Sequence, residues 1–308
     1  MILKANDMKE FKLGFGPMSR EIAVILAKHS KDNDYPLMII ASRNQVDYDS
    51  GYVCTTKELV ELIKPYRHDK LLVCRDHCGP YFSMFDQGLT LAEATIRCKK
   101  TIEEDINCGF DLIHIDVSKV PENQLESATD LIDFTLYLKP DMKLEFGSED
   151  NTGVDVESSI GRIAPQLEFL AKYSNNVKFF VTQTGSLTKE RQAGTFDVAR
   201  NQQVAAQIHN AGFLFKEHNA DYFSQSDITL RQQANIDSLN IAPQLGKLQT
   251  DLLKEMAPAD LWNKFADLVY SKNHWQRWVP EGVTDKDLAV SVSGHYCFNS
   301  DEYRAIVA

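Results

Sequence analysis

Leu71-Leu72-Val73-Cys74-Arg75-Asp76-His77-Cys78-Gly79-Pro80 is the stretch that decides the fold. A short apolar run ends abruptly in an acid and an imidazole, and Gly-Pro follows at once. This reads as a buried strand that delivers two reactive side chains at its C-terminal end and then turns. Chains built from repeated strand–helix units place their chemistry at that end. Taken alone, the decapeptide is also compatible with a surface turn that happens to hold Asp and His. The rest of the chain argues against that plainer reading.

Working outward, similar runs recur, each followed by a helical pattern. Residues 11–16, 37–41 and 71–74 give the first three strands, and residues 112–116, 143–147 and 177–182 the next three. Residues 213–217 give a seventh and Ser238-Leu239-Asn240-Ile241 an eighth, the weakest. Eight such units predict a (β/α)8 TIM barrel, an α/β fold with extra C-terminal helices. The chain reads as one domain over 1–308, with an extension from about residue 258 to 308 that carries Trp262, Phe265, Trp275 and Trp278. A doubly wound open sheet is the alternative. It lacks support, because no G-x-G-x-x-G follows the first strand and Gly14-Phe15-Gly16 alone is too weak a signal.

Composition narrows the function. Of 308 residues, 43 % are hydrophobic and 25 % charged, ordinary for a globular protein, and the formal net charge is −11. That balance argues against nucleic acid and anionic membranes as partners. No apolar run approaches the roughly 18 residues of a membrane span, and Met1 to Lys12 has no signal-peptide core. Cys54, Cys74, Cys78, Cys98, Cys108 and Cys297 form no C-x-x-C pair. They read as reduced, packed thiols of a cytoplasmic protein.

In a barrel the residues after each strand converge on one mouth. Here they form a polar set: Arg43, Asn44 and Gln45 after the second strand, Asp76 and His77 after the third, and His114 and Asp116 on the fourth. Glu149 follows the fifth strand, Gln183 the sixth and His218 the seventh, and Asn240 lies at the eighth. Carboxylates, imidazoles and amides at most ends of one barrel are what a catalytic mouth needs. His77 and His218 are placed to share a divalent metal through neutral nitrogens. Asp76 is expected on the adjacent face, as a proton-transfer group rather than a ligand, and Glu149 as a second acid/base or a further ligand. His114 alternates with Ile113 and Ile115 and so points into the barrel. There it reads first as a hydrogen-bonded structural histidine and second as a ligand.

The same segments resemble the tagatose-bisphosphate aldolase subunit family, often called the non-catalytic subunit of the class II enzyme. The resemblance rests on Asn44-Gln45-Val46, Asp76-His77-Cys78-Gly79-Pro80, Ile113-His114-Ile115-Asp116, Gly147-Ser148-Glu149, Gln183-Thr184-Gly185 and His218-Asn219-Ala220-Asp221-Tyr222, in that order over most of the barrel. It implies a (β/α)8 barrel, with Asp76 transferring protons, His77 and His218 binding zinc, and Asn240 touching substrate. The family includes metal-dependent 4-epimerases of ketose phosphates and chaperone-like partners of a separate catalytic aldolase chain. The chain also departs from the wider class II pattern. No third histidine follows the sixth strand, where Glu190 stands instead, making Glu190 or Glu149 the candidate third ligand. Arg43 and Arg75 stand where small residues are expected, and arginine favours bidentate contacts to phosphate or carboxylate; the alternative is that both pair with neighbouring acids such as Asp47.

The expectation is therefore a metal-dependent aldolase or C4-epimerase acting on a phosphorylated or other anionic sugar. Catalysis falls to Asp76 and Glu149. The metal, zinc by preference, falls to His77, His218 and Glu190. Substrate contacts fall to Arg43, Asn44, Gln45, Arg75, Asp116, Gln183 and Asn240. The alternative is a non-catalytic subunit supporting a partner aldolase chain, with the aromatic C-terminal segment as interface or as a plug for the barrel bottom. A homo-oligomer fits either reading.

Overall fold

The computed structural model describes residues 5–147 and 159–308. Eight parallel strands close into a barrel: β1 (Leu13–Phe15), β2 (Leu37–Ser42), β3 (Leu71–Cys78), β4 (Leu112–Asp116), β5 (Lys143–Gly147), β6 (Val177–Val181), β7 (Leu214–Glu217) and β8 (Ser238–Ile241). Each strand pairs with its neighbour in sequence, and β8 pairs with β1 through Leu13 opposite Leu239. The (β/α)8 expectation holds. Alternation explains why these runs form this sheet. Leu37, Ile39, Leu71, Val73, Ile113, Ile115, Leu144 and Phe146 face outward and pack with the surrounding helices. Met38, Ile40, Leu72, Cys74, Leu112, Phe179 and Leu214 face inward and fill the lower barrel.

Met8 and Phe11 join that interior cluster from the short helix before β1, so the N-terminal end of the barrel is plugged from the N-terminus. The helices start where their side chains permit. They are α1 (Arg20–Asp32), α2 (Thr56–Ile63), α3 (Leu91–Asn107), α4 (Gln124–Leu138), α5 (Ser159–Leu170), α6 (Val198–Asn210) and α7 (Gln225–Gln233), and Thr55 with Glu58, and Thr90 with Glu93, form capping boxes at α2 and α3. After β8 come α8 (Pro243–Met256) and the C-terminal helices α9 (Ala259–Ser271), α10 (Lys286–Ser293) and α11 (Asp301–Val307). Leu253, Trp262, Phe265, Val290, Phe298 and Tyr303 knit them together. This extension does not plug the barrel bottom. Its residues His274, Arg277, Trp278, His295 and Tyr296 line the mouth instead. All six cysteines are free, and among the described residues no helix is long and apolar enough to cross a membrane.

Candidate metal centre

Along β3, β4 and β7 the inward positions turn from apolar to ionisable toward the C-terminal end. Leu112 gives way to His114, Cys74 to Asp76, and Leu214 to Lys216 and then His218. The decisive local feature lies on β3. Successive strand residues point to opposite faces, so Asp76 inward should send His77 outward. The β3–β4 register shifts between Arg75 and Cys78, and His77 adopts a left-handed φ of 46°. That irregularity turns the His77 ring back into the mouth. Adjacent residues thus share one site. Asp76 is not on a separate face, as the unbroken alternation predicted.

His77, His114 and His218 form a near-equilateral triangle, with ring centroids 5.3, 5.0 and 5.2 Å apart. Asp76 faces all three. Its Oδ2 lies 3.6 Å from His77 Nε2, and its Oδ1 lies 3.5 Å from His114 Nδ1 and 3.9 Å from His218 Nε2. One ligand atom from each of these four residues falls within 4.8 Å of the other three. The ring of His77 is fixed from behind. Its Nδ1 donates to Asp116 Oδ2 at 2.6 Å, and Phe82 stacks on it at 5.1 Å. This is the carboxylate–histidine arrangement that leaves the other nitrogen to face a metal. Gly147 has no side chain where one would come within 2.7 Å of His114 Nε2, so the third imidazole fits only over a glycine.

Beneath the triangle lies a buried ion pair, Glu145 Oε2 to Lys216 Nζ at 2.7 Å. The other Glu145 oxygen accepts from His218 Nε2 at 3.0 Å and lies 3.5 Å from His114 Nδ1. Burial pushes the Glu145 carboxyl up, but Lys216, then His114 and His218, outweigh it and hold it well below the ordinary range. Burial likewise opposes ionisation of Asp76, and His77, His218 and His114 outweigh it, so this carboxyl also stays ionised. Burial pulls His77 down, while Asp76 and Asp116 raise it to about 9. With the imidazoles neutral, as metal binding requires, three carboxylates (Asp76, Asp116, Glu145) against the one Lys216 ammonium leave two excess negative charges. That donor set can bind a divalent cation and matches the nitrogen and oxygen preferences of zinc and its first-row neighbours.

The other expected residues divide. Asn44, Gln45 and Asn240 line the cavity of about 720 Å³ above the triangle, together with Asp76, His77 and His218. Asp116 lies behind His77 rather than on the cavity wall. Gln183 turns to its own loop, its Oε1 accepting from Gly185 N at 2.9 Å. Glu149 lies outside the described residues. Glu190 stands apart from the four-residue cluster, beside Arg191 at 3.5 Å, and His114 supplies the third imidazole in its place.

Arg43 and Arg75 do not reach the substrate cavity; both pair with neighbouring acids, the alternative their sequence context offered. Both are fully buried on the outer side of the barrel wall. Arg43 pairs with Asp86 at 2.6 Å and Asp47 at 3.3 Å, and Arg75 pairs with Asp105 at 2.7 Å. Each binds two or more neighbouring oxygens, which uses the guanidinium fork for cross-linking the wall rather than for substrate. Glu145 and Lys216 escaped the sequence reading, although an acid between Leu144 and Phe146 at inward parity was the available signal.

No protein-family model matches the chain, and no curated protein sequence matches it. Solved structures do share its fold. A "probable tagatose 6 phosphate kinase" of Sinorhizobium meliloti aligns with TM-score 0.74 at 18 % identity, over 96 % of this chain and 85 % of its own. The fructose-bisphosphate aldolase of Campylobacter jejuni aligns with TM-score 0.54 at 15 % identity, over 98 % and 90 %. The YdjI aldolase of Escherichia coli aligns with TM-score 0.52 at 14 % identity, over 98 % and 91 %. At these identities the likeness is one of fold.

Proposed function

We propose that this chain is a divalent-metal-dependent sugar aldolase or C4-epimerase, acting on a phosphorylated or otherwise anionic ketose. The observation that carries the reading is the Asp76 carboxylate inside the triangle of His77, His114 and His218, at the floor of a cavity sized for a sugar phosphate. The barrel's likeness to solved aldolases and the resemblance to the tagatose-bisphosphate aldolase subunit family point the same way. The three imidazoles would hold the metal. When bound, a divalent cation polarises a ketose carbonyl and stabilises the enediolate oxygen. The chain's own groups do the rest. Asp116 orients His77, Glu145 orients His218, and Asn44, Gln45 and Asn240 bind hydroxyls.

Asp76, held ionised, takes the proton from the C4 hydroxyl as the C3–C4 bond breaks. The bond's electron pair passes to C3 as the enediolate, and C4 becomes an aldehyde carbon. Protonation of C3 by solvent, release of both fragments and loss of the Asp76 proton to solvent complete an aldolase cycle. Rotation of the aldehyde, re-formation of C3–C4 and return of the proton from Asp76 complete an epimerisation.

The test is metal analysis of the purified protein, with retro-aldol and epimerase assays over a panel of ketose phosphates and sugar acids. Asp76→Asn is expected to retain metal and to lose activity by about 10²–10⁴-fold, the usual worth of a general base. Full activity in that variant, or a protein that holds no divalent metal, refutes the proposal. An inert chain that stabilises a separate aldolase would instead establish the non-catalytic partner reading.

A further inference from the structure

With Arg43 and Arg75 committed to the wall, the charge for an anionic substrate must come from elsewhere. The mouth supplies it from the C-terminal extension. That extension is tied across the rim at two places. Asn299 Nδ2 donates to the carbonyls of Tyr52 and Val53 at 2.6 and 2.9 Å, and Lys189 Nζ donates to the Arg277 carbonyl at 2.8 Å. These ties place Arg277, Trp278 and His295 on the cavity wall.

Three features there point to a ligand. First, His295 is fully buried, and neither ring nitrogen has a hydrogen-bond partner. Trp278 Nε1, also buried, has none, nor do the two amide atoms of Asn240, which line the same cavity from β8. Buried polar atoms are almost always paired, because an unpaired one forfeits its hydration without replacement. Several on one wall mark a polar ligand. Second, the charges are one-sided. The described lining carries Arg277 as the fixed cation of this wall, and its one carboxylate, Asp76, belongs to the imidazole triangle. That placement, in a chain of net charge −11, is not a consequence of composition. Third, the donors are oriented. The Arg277 guanidinium lies over the Trp278 ring at 4.8 Å, and the His295 ring packs against Tyr296 at 4.1 Å. A neutral imidazole offers one donor and one acceptor, which suits an anion oxygen beside a hydroxyl.

We propose that Arg277, Trp278 and His295 form a distal subsite that grips the anionic terminus of an open-chain sugar, a phosphate or a carboxylate, while its other end lies at the imidazole triangle. The subsite deepens the anionic-sugar reading above and rests on it for the substrate class. It makes the C-terminal extension, rather than the barrel strands, the determinant of which sugar is accepted.

The test is isothermal titration with inorganic phosphate, with D-gluconate as competitor to separate a phosphate from a carboxylate terminus. The proteins are wild type, Arg277→Gln, His295→Gln, the metal-triangle variant His77→Ala and the surface control Arg304→Gln, each checked for folding by circular dichroism. Phosphate, too short to span to the triangle, should bind wild type, His77→Ala and Arg304→Gln alike, and gluconate should displace it from wild type. Arg277→Gln should weaken Kd about tenfold or more, as expected for loss of one charge-assisted contact. His295→Gln should weaken it less. Equal binding in Arg277→Gln, binding abolished by His77→Ala, or no binding of either anion to wild type overturns the subsite. A catalytically inert, metal-free protein that still binds phosphate through Arg277 would end the function proposed above and leave the subsite standing.

Discussion

Glu145→Gln is the most informative single perturbation of this barrel. Glu145 and Lys216 are each 1 % exposed and touch through one 2.7 Å contact. The Lys216 ammonium otherwise rests over the Phe179 ring at 5.0 Å, near the Met38 sulfur. With the acid removed, the ammonium must stay charged in an apolar slot or give up its proton. Discharging any lysine at pH 7 costs about 4–5 kcal/mol, at about 1.36 kcal/mol per pKa unit. That agrees with the roughly 3–5 kcal/mol measured when one partner of a buried pair is deleted. Lys216→Met should cost less, because the stranded Glu145 carboxylate keeps polar partners, His218 at 3.0 Å and His114 at 3.5 Å. The double variant Glu145→Gln/Lys216→Met should recover at least 2 kcal/mol relative to Glu145→Gln, since no unpaired charge remains. The assay is urea unfolding at pH 7 with chelator present throughout, so that metal linkage does not enter. Additive single-variant effects, or a Glu145→Gln cost under 1 kcal/mol, would refute the claim that this pair is a desolvated unit.

Three further outcomes follow from the same geometry. His114→Ala should lose bound divalent metal by direct metal analysis while Glu190→Ala retains it; the reverse pattern would return the third ligand to the loop after β6. Arg75→Met should lower stability by about 3–5 kcal/mol, because Asp105 is left buried and unpaired, and should leave KM for an anionic sugar unchanged in protein that folds; a steep KM rise with intact stability would contradict the wall assignment. Burial, helped by Arg277 and His274, depresses His295 to about 3 from its ordinary 6.5. Below pH 6.5 the unfolded chain therefore binds a proton that the folded chain refuses, so this residue's contribution to stability is full above pH 6.5 and drains as pH falls toward 3. The swing is on the order of 4–5 kcal/mol, and His295→Phe should flatten the pH dependence of the urea midpoint across that window.

The barrel was legible because its signal is redundant. Eight apolar runs with polar ends survive one weak member, and Ser238-Leu239-Asn240-Ile241 still pairs with β1 and β7. The mouth was legible in part, because strand ends bring Asn44, Gln45, Asp76, His77, His218 and Asn240 together whatever the loops do. Arg75 was left between substrate and a neighbouring acid, although alternation could have decided it. If Asp76 faces inward, alternation alone sends Arg75 outward, against α2 and α3, where Thr56 and Asp105 receive it. Glu145 and Lys216 were hidden for a different reason. They lie in mid-strand, below the ends where chemistry is sought, and their pairing joins residues 71 positions apart. The C-terminal contribution was not readable at all, since no periodicity in His274 to Tyr296 says which end of the barrel the segment will cross.

The pair Asp76-His77 shows why local reading reaches a limit where ionisable side chains cluster. Strict alternation gives a choice between an inward acid and an inward imidazole, never both. A centre that needs a carboxylate within 4 Å of three imidazoles needs both. The chain meets that requirement by breaking its own sheet. The register shift after Arg75 and the left-handed φ at His77 are unfavourable for a non-glycine residue, and the surroundings hold them in place. The Asp116 contact to Nδ1 and the Phe82 stack fix the ring once it has turned. Gly79 then lets the chain pass under the Asp116 carbonyl, where a side chain would collide at 1.6 Å. The Gly-Pro that followed the pair in the sequence is thus part of the same device as the pair. The glycine that reads as a turn is what allows the strand to end against β4, with two consecutive side chains aimed at one point.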